Sequence, residues 1–286
     1  MEKLLLSEIA HCLNAECPEE KVITEISTDT RNLPAGCLFI AIKGERFDGH
    51  AFIKQAIENG AAAAVSEYPV DGCPCIVVKN TRTALLKLAK YYRSKFNPVL
   101  VGITGSVGKT TTKEMIALVL SEKYKTLKTQ GNLNNEIGLP KTLFNLDSSY
   151  QAAVIEMGMS DFGEIERLSN TAVPTIGVIT NIGFSHIENL KSQEGILKAK
   201  LEILSGMKSD APLIVNGDDR YLAPLKEEFK SSRSVYLYGI GDKCDFRAKN
   251  IIEENGITRF TLVYNGVNTE IEIPCRSEEH TSELQS

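Results

Sequence analysis

The segment from residue 99 to residue 112, VLVGITGSVGKTTT, constrains the fold of this chain more than any other. It reads as an apolar strand, a glycine-rich turn and the start of a helix. Gly105 and Gly108 allow a tight turn whose N–H groups can point at a polyphosphate. Lys109 offers a point charge to the β- and γ-phosphates, and the hydroxyl of Thr110 is suited to Mg²⁺. The sequence therefore predicts a phosphate-binding loop at a strand–helix junction.

This loop differs from the general phosphate-binding loop at one position. The general pattern has a glycine five residues before the Gly-Lys pair, where this chain has Ile103. The segment is thus the shorter T-G-S-x-G-K-T-T form, which narrows the candidate families. A lone glycine turn is often only a turn, but here a strand precedes it and a helix follows it. We expect that helix to bury one apolar face, which is formed by Met115, Leu118 and Val119.

Strands and helices alternate from Pro98 onward. This alternation predicts an α/β fold with a mainly parallel sheet, and ligands of such sheets bind at the carboxyl ends of the strands. An Asn265-Gly266 pair predicts a β-hairpin between 259–264 and 267–273. The predicted strands are 99–103, 152–156, 175–181, 213–216 and 235–238, and the predicted helices are 113–123, 164–170, 194–204 and 220–229.

The residues before Pro98 predict a smaller α/β unit. A helix over 83–96 would bury Leu85, Leu88, Ala89 and Tyr92, and Asn97-Pro98 would end it. We therefore predict an N-terminal domain over 1–97 and a central domain over 98–275. The other elements predicted in the first domain are an amphipathic N-terminal helix, strands over 38–42, 62–65 and 76–78, and a helix over 52–59.

The last eleven residues, 276–286 (RSEEHTSELQS), fit no pattern that precedes them. They are polar and lack periodicity, and the string resembles an in-frame translation of a DNA-sequencing adapter. We interpret them as a non-native tail and exclude them from the fold. On this interpretation the native chain would continue differently after Cys275. The alternative is a natural disordered tail.

Composition excludes several classes of protein. The net charge is −5 and there is no basic stripe, so we expect no binding to nucleic acid. The apolar runs are far shorter than the roughly 20 residues of a membrane span, and the acidic N-terminus does not resemble a secretory signal. The seven cysteines include no C-x-x-C pair, so we expect free thiols in a reducing cytoplasm.

Polar residues at predicted strand ends are candidates for a metal site. Glu156 ends an apolar strand and could hold Mg²⁺, or could instead be a capping or exposed carboxylate. His186 follows the next strand, and this position favours a role in the site over a structural one. Lys198 and Lys200 carry no spacing that distinguishes them from solvated charges. The asparagine-rich segment 131–140 could contact a polar ligand or could be a plain loop.

Taken together, the motifs of this chain resemble those of the Mur ligase superfamily. The similarity covers nearly all of residues 27–219 in family order and spacing, and KGERFDGH and GNLNNEIG resemble the branch that adds D-alanyl-D-alanine to UDP-N-acetylmuramoyl-tripeptide. The matching segments are LPAGCLFIAIKGERFDGHAFI, GITGSVGKTTTKEM, TQGNLNNEIGLPKTL, VIEMGMSDFGEIERL, ITNIGFSHIENLKSQEGILKAKLEIL and VNGDD.

The resemblance implies an ATP- and Mg²⁺-dependent ligase of peptidoglycan precursor synthesis. ATP would activate the peptide's terminal carboxylate as an acyl phosphate, which the amine of D-alanyl-D-alanine then attacks. We expect a cytoplasmic monomer whose partners are these two small substrates. The family also implies a G-x-H-N-x-x-N stretch and a third, Rossmann-like domain, both missing here. We therefore expect this chain to be inactive alone.

The resemblance also implies a role for individual residues. Lys109, His186 and Lys200 would act in catalysis, and Lys200 would be carbamylated. Thr110 and Glu156 would hold one Mg²⁺, His186 would help to bind a second, and carbamylated Lys200 would be a further metal ligand. The nucleotide would contact Thr104, Gly105, Ser106, Val107, Gly108, Lys109, Thr110, Thr111, Asn216 and Asp219. The muramoyl substrate would contact Thr28, Asp29, Arg31, Lys43, Gly44, Phe47, Asp48, Gly49, His50, Asn134, Asn135 and Ser160.

Two other functions stay open at this stage. A folate polyglutamating ligase shares the short loop and the acyl-phosphate chemistry, although the KGERFDGH segment disfavours it. A non-catalytic module that binds ATP and the UDP-muramoyl peptide is the second alternative. Val107 departs from the small or polar residue usual at its position, which leaves its contribution to the loop open.

Overall fold

The structure, a computed structural model, describes residues 1–44 and 47–274. Three sheets organise these residues: a two-stranded and a four-stranded sheet lie in a small N-terminal unit, and a nine-stranded sheet lies in a larger unit that contains the phosphate loop. The nine-stranded sheet is mainly parallel, so the predicted α/β class is confirmed. The boundary between 97 and 98 stays a prediction, and residues 276–286 lie outside the described residues.

The N-terminal unit is built on four parallel strands in the order β3-β4-β5-β6. Leu38 and Ile40 of β4 pack on the side of α1 and α3, whereas Phe39 between them packs with α2. This alternation follows from the period of two in a strand. The elements are β1 (Leu4–Leu5), α1 (Leu6–Leu13), β2 (Val22–Ile23), β3 (Ile26–Ser27), β4 (Leu38–Ile40), a 3₁₀ turn (Gly49–Phe52), α2 (Ile53–Glu58), β5 (Ala63–Ser66), β6 (Cys75–Val77) and α3 (Thr81–Ser94).

The larger unit places the phosphate-loop strand, β7, between β9 and β10. Across the described residues the order is β15-β14-β13-β12-β11-β10-β7-β9-β8, parallel from β8 to β13. The elements are β7 (Val99–Thr104), α4 (Lys109–Ser121), β8 (Thr126–Lys128), α5 (Gly138–Leu143), β9 (Ala152–Glu156), α6 (Glu164–Ala172), β10 (Ile176–Ile179), α7 (Ile187–Leu190), α8 (Gln193–Leu201), a 3₁₀ turn (Glu202–Gly206), β11 (Leu213–Asn216), α9 (Leu225–Glu228), β12 (Val235–Gly239), β13 (Phe246–Glu254), β14 (Ile257–Tyr264) and β15 (Val267–Pro274).

Helix α3 joins the two units. Its predicted apolar residues, including Leu88 and Tyr92, are buried, and the helix packs against α1, α5 and α6. The Tyr92 hydroxyl donates to the carbonyl of Leu146 at 2.6 Å, and the Arg93 Nε donates to the carbonyl of Ala172 at 2.8 Å. The buried core is therefore continuous from the N-terminal unit into the larger one.

Helix α4 does not bury the predicted face. Met115, Leu118 and Val119 are 51%, 68% and 71% exposed, and the helix packs instead through Ala117, next to the buried Lys113. The prediction of an apolar face at these three residues is wrong. The start of α4 is fixed by the phosphate loop, and this constraint sets the rotation of the helix rather than its apolar pattern.

The helix predicted over 220–229 is only the short α9. The Asp219 carboxylate accepts hydrogen bonds from the N–H groups of Tyr221 and Leu222, as an N-cap does, but only one turn follows it. Pro224 then lacks the N–H that would continue a helical ladder. Strands β8 and β13 and helix α5 were not predicted from the sequence.

The predicted hairpin is confirmed. Tyr264 of β14 pairs with Val267 of β15, and Asn265 and Gly266 have φ values of 50° and 77°. Positive φ at both turn residues is what a two-residue hairpin turn requires. No helix within residues 1–44 and 47–274 is long and apolar enough to cross a bilayer.

Candidate nucleotide and metal site

The phosphate loop is braced from the neighbouring strand end. The N–H groups of Ser106 and Val107 donate to the Asn181 side-chain oxygen at 3.1 and 3.0 Å. The Thr180 hydroxyl and the Asn181 amide donate to the carbonyl of Val107. The exposed side chain of Val107 takes no part in these bonds. Asn181 thus fixes the first half of the loop. The first N–H groups of a helix have no partner within it, so those at the start of α4 are suited to bind an anion.

Lys109 folds back over the loop. Its Nζ donates to the carbonyl oxygens of Gly105 and Ser106 at 3.0 and 3.2 Å. The ammonium therefore lies at the mouth of the turn, at the N-terminus of α4, where helix dipole and lysine charge both favour a phosphate.

Gly105 is required by a close approach to β10. A Cβ atom at this position would lie 1.8 Å from the Thr180 hydroxyl oxygen, and the backbone φ is 155°. We expect Gly105→Ala to lower the free energy of unfolding by about 2–3 kcal/mol and to weaken ATP binding, because the loop must move to relieve the collision. Urea unfolding and ATP titration measure both effects. Gly266→Ala controls for backbone strain alone, since Gly266 has a φ of 77° but a Cβ there meets no atom within 4 Å; it should lose stability and keep wild-type ATP affinity. Wild-type stability and affinity in Gly105→Ala would contradict the loop geometry.

The Glu156 carboxylate is buried and joins two segments that are distant in the chain. Its Oε2 accepts a hydrogen bond from the Thr110 hydroxyl at 3.1 Å, and its Oε1 accepts one from the Asn134 amide at 2.8 Å. The backbone N–H of Glu156 also donates to the Thr129 hydroxyl at 3.0 Å. The alternative of an exposed or capping carboxylate is therefore wrong. A hydroxyl and a carboxylate in contact are a donor set that fits Mg²⁺.

A buried lysine that the sequence analysis missed lies beside this carboxylate. The Nζ of Lys113 is 3.9 Å from Glu156 Oε2 and 3.1 Å from Glu114 Oε1. A signal for it exists in the sequence, because residues 110 and 113 share a face of a helix.

Lys200 is also buried, with 2% of its surface exposed. Burial, together with the positive charge of Lys109, lowers the pKa of Lys200 to about 7. The interpretation of Lys200 as a solvated charge is therefore wrong. For Lys198 that interpretation holds, since its side chain is exposed and its Nζ lies over the ring of Phe162.

His186 lies at the surface of the loop after β10. It has a φ of 60°, precedes α7, and borders a cavity of about 300 Å³ with Phe184 and Glu188. Within residues 1–44 and 47–274, no group of three His, Cys, Asp or Glu side chains is close enough to hold a metal. The structure therefore brings Thr110 and Glu156 together, while the proposed ligand role of His186 stays a prediction.

Several other predicted site residues make local bonds. The Asn135 side chain accepts from the N–H groups of Ile137 and Gly138 at the start of α5. Ser160 is exposed, and its carbonyl accepts from the Asn189 amide. Asn135 lines a cavity of about 250 Å³ with Arg82 and with Gly158, which is two residues before Ser160. This cavity opens between Arg82 at the start of α3 and residues of the larger unit.

Among the described residues of the segment predicted to hold the uridine end, Gly49 and His50 are buried. His50 accepts from the N–H of Glu67 through Nε2 at 3.0 Å, and its Nδ1 lies 2.5 Å from Asp48 Oδ1. Both ring nitrogens are thus engaged, so His50 holds the segment in place rather than facing solvent. Lys43 and Phe47 are exposed, Gly44 and Asp48 are half-buried, and Gly49 is buried. Residues 45 and 46 lie outside the described part.

The remaining predicted contacts are also located. Hydrogen bonds from Arg31 hold the pKa of Asp29 well below its usual range, and Thr28 beside it is half-buried.

Asp219 accepts from the N–H of Ile182 at 2.7 Å, and the Asn216 side chain accepts from the N–H of Asp218. Thr104 is buried and Thr111 exposed. The Thr104 hydroxyl has no hydrogen-bond partner among the described residues. The assigned roles of these residues stay predictions.

The chain matches two family models. The Mur ligase middle domain matches residues 103–282, and the Mur ligase family catalytic domain matches residues 22–93. The UDP-N-acetylmuramoyl-tripeptide–D-alanyl-D-alanine ligase of Bacillus subtilis is 45% identical over 260 residues, which is 90% of this chain and 55% of that protein. The chain thus spans about half the length of this relative.

Solved structures agree with the sequence matches. The crystal structure of MurF from Acinetobacter baumannii has a TM-score of 0.89 at 33% identity, over 96% of this chain and 61% of that one. The MurF ligase from Thermotoga maritima in complex with ADP has a TM-score of 0.80 at 32% identity, over 87% of this chain and 57% of that one. With the short phosphate loop and the buried Glu156 in place, these matches lead to one conclusion: the chain belongs to the Mur ligase family.

Proposed function

We propose that this chain forms the ATP- and muramoyl-substrate-binding part of a ligase that adds D-alanyl-D-alanine to UDP-N-acetylmuramoyl-tripeptide. One observation carries the proposal. The two carboxylate oxygens of Glu156 contact Thr110 of the phosphate loop and Asn134 of the GNLNNEIG segment. A ligase of this kind must hold a nucleotide phosphate beside a substrate carboxylate, and Glu156 links the two segments that would do so.

The residues of the phosphate loop would bind and orient ATP. Lys109 and the first amides of α4 attract the phosphates. Thr110 with Glu156 would hold one Mg²⁺ and His186 would help to hold a second, with a carbamylated Lys200 as a further metal ligand. When bound, Mg²⁺ supplies positive charge that neutralises the phosphates during transfer. The ADP complex of the Thermotoga relative supports the proposal that this chain binds an adenine nucleotide. The protein would need to form no covalent intermediate itself, because it would accelerate the reaction mainly by aligning the reactants and by stabilising charge.

The two ends of the muramoyl substrate would contact different units. The segment 43–50 with Thr28, Asp29 and Arg31 would hold the uridine end, and Asn134, Asn135 and Ser160 would face the peptide. The cavity between Arg82 and Asn135 supports this division, since it lies between the two units. We place the reaction in the cytoplasm, in peptidoglycan precursor synthesis, and propose that the protein acts as a monomer.

Carbamylation of Lys200 gives a separate prediction. A lysine must be neutral to add CO₂, and it loses its proton as the pH rises through its pKa. With that pKa lowered to about 7, about half of Lys200 would be neutral near pH 7 and most of it at pH 8.5. We expect ¹³C-bicarbonate to give a carbamate resonance at pH 8.5 that fades toward pH 6. Lys200→Met should lack it, and the exposed Lys198→Met should retain it. An identical signal in Lys200→Met would contradict the assignment.

Binding measurements test the proposed function directly. Calorimetric titration of the full chain with Mg²⁺-ATP and with UDP-N-acetylmuramoyl-tripeptide should show binding of both, whereas a folate should not bind. The variant Asn134→Asp places a second carboxylate against Glu156 and should weaken binding of the muramoyl substrate. The matched control is Asn145→Asp, because Asn145 is exposed and also precedes β9 in the chain; it should weaken this binding less. Binding of a folate in place of the muramoyl substrate would overturn the proposal.

A further inference from the structure

A buried cation lies where the proposed metal would bind. The Lys113 side chain is 1% exposed, and its Nζ lies 3.9 Å from Oε2 of Glu156, which is 2% exposed. This is the same oxygen that accepts the hydrogen bond from Thr110. A buried ammonium and a buried carboxylate are each costly unless they compensate one another. Lys113 therefore neutralises the carboxylate to which a metal beside Thr110 must bind.

Lys113 has a second carboxylate within reach. Glu114 Oε1 lies 3.1 Å from the Lys113 Nζ, and Glu114 is itself ion-paired with Lys128 of β8. The ammonium thus lies between one buried carboxylate and one that is 47% exposed. The charges alternate along the series Glu156, Lys113, Glu114 and Lys128. Lys113 can consequently share its charge between the site and a surface partner.

We propose that Lys113 is a built-in counter-ion of Glu156 that competes with the bound cation and sets how much Mg²⁺ nucleotide binding requires. This inference rests on the proposed Mg²⁺–nucleotide site. Lys113 stabilises the metal-free protein, but its charge repels a cation at the same carboxylate. The negative phosphates of a nucleotide offset that repulsion. Metal and nucleotide therefore enter together, and the metal alone binds weakly.

The Mg²⁺ requirement of ADP binding tests this role without measuring turnover. ADP binding to the full chain is followed at rising Mg²⁺, and the midpoint concentration is compared between variants. We expect Lys113→Met to lower the midpoint about tenfold and to lower the melting temperature in EDTA. Lys128→Met is the matched control, since it removes the lysine two steps further along the series. Its midpoint should stay within about twofold of wild type. An unchanged or higher midpoint in Lys113→Met overturns the inference.

A second variant keeps the test decisive if Lys113→Met does not fold. Glu114→Gln removes the charged surface partner of Lys113, so the ammonium would then pair with the Glu156 carboxylate alone. We expect the Mg²⁺ midpoint to rise about threefold, and an unchanged or lower midpoint would again overturn the inference. Failure of the proposed function looks different. In that case ADP binding by the wild-type chain would not depend on Mg²⁺ at all, which would remove the site and this inference with it.

Discussion

Lys109→Ala is expected to weaken ATP binding about a hundredfold. The Lys109 ammonium lies at the mouth of the phosphate loop, held by the carbonyl oxygens of Gly105 and Ser106. Charge-assisted hydrogen bonds to a polyphosphate contribute about 1.5–3 kcal/mol, and each 1.4 kcal/mol is a factor of ten in affinity. Alanine removes both the charge and the donors while the glycine turn stays in place. Calorimetry or a fluorescent ATP analogue at saturating Mg²⁺ measures the loss.

The control for this variant is Lys198→Ala. Lys198 lies on α8 with an exposed side chain, so its removal makes the same change in net charge without touching the loop. Its ATP affinity should match that of the wild type. If Lys109→Ala also binds ATP with unchanged affinity, the loop is not the phosphate site.

Glu156→Gln is expected to abolish the Mg²⁺ dependence of ADP binding. Glutamine keeps the size of the side chain and a contact with Asn134, but it removes the charge that a divalent cation requires. The substitution also takes the buried carboxylate away from Lys113, which keeps only Glu114. We therefore expect the free energy of unfolding in EDTA to fall by about 2 kcal/mol. ADP titrations with and without Mg²⁺, and urea unfolding, measure the two effects.

Glu166→Gln is the matched control for the second variant. Glu166 is an exposed carboxylate on α6, and its removal changes the net charge equally. It should bind ADP with the wild-type dependence on Mg²⁺. Retention of that dependence in Glu156→Gln would exclude Glu156 as a metal ligand. Together with Lys113→Met the outcome separates two roles, because one variant should remove the Mg²⁺ effect and the other should strengthen it.

The elements that the sequence predicted well are those set by short-range rules. Helix α3, strands β7, β9 and β11 and the hairpin at Asn265-Gly266 lie within a few residues of their predicted bounds. Strand β13 was missed although it is nine residues long, since its charged and polar residues conceal the period of two. Helix 220–229 failed for a different reason, because Pro224 lacks the N–H that a helix needs in its interior, and α9 begins only after it.

The site residues also differ in whether short-range rules could predict them. Thr110, Lys109 and the two loop glycines could be identified because their roles depend on spacing within eight residues. Thr180 and Asn181, which brace the loop, directly follow β10, about 75 residues later in the chain. No local pattern indicates which of many strand-end polar residues will meet the loop. Their contribution became visible only when β10 paired with β7.

By itself, the sequence determined that a phosphate loop lies between a strand and a helix in an α/β chain, since glycine conformation and lysine spacing act over a few residues. The tertiary structure decided which charges are buried around that loop. The pairing of β9 with β7 brings Glu156 to Thr110, and the loop fixes the rotation of α4 so that Lys113 faces inward while Leu118 faces solvent. Burial depends on what packs against a side chain, and those partners are far away in sequence.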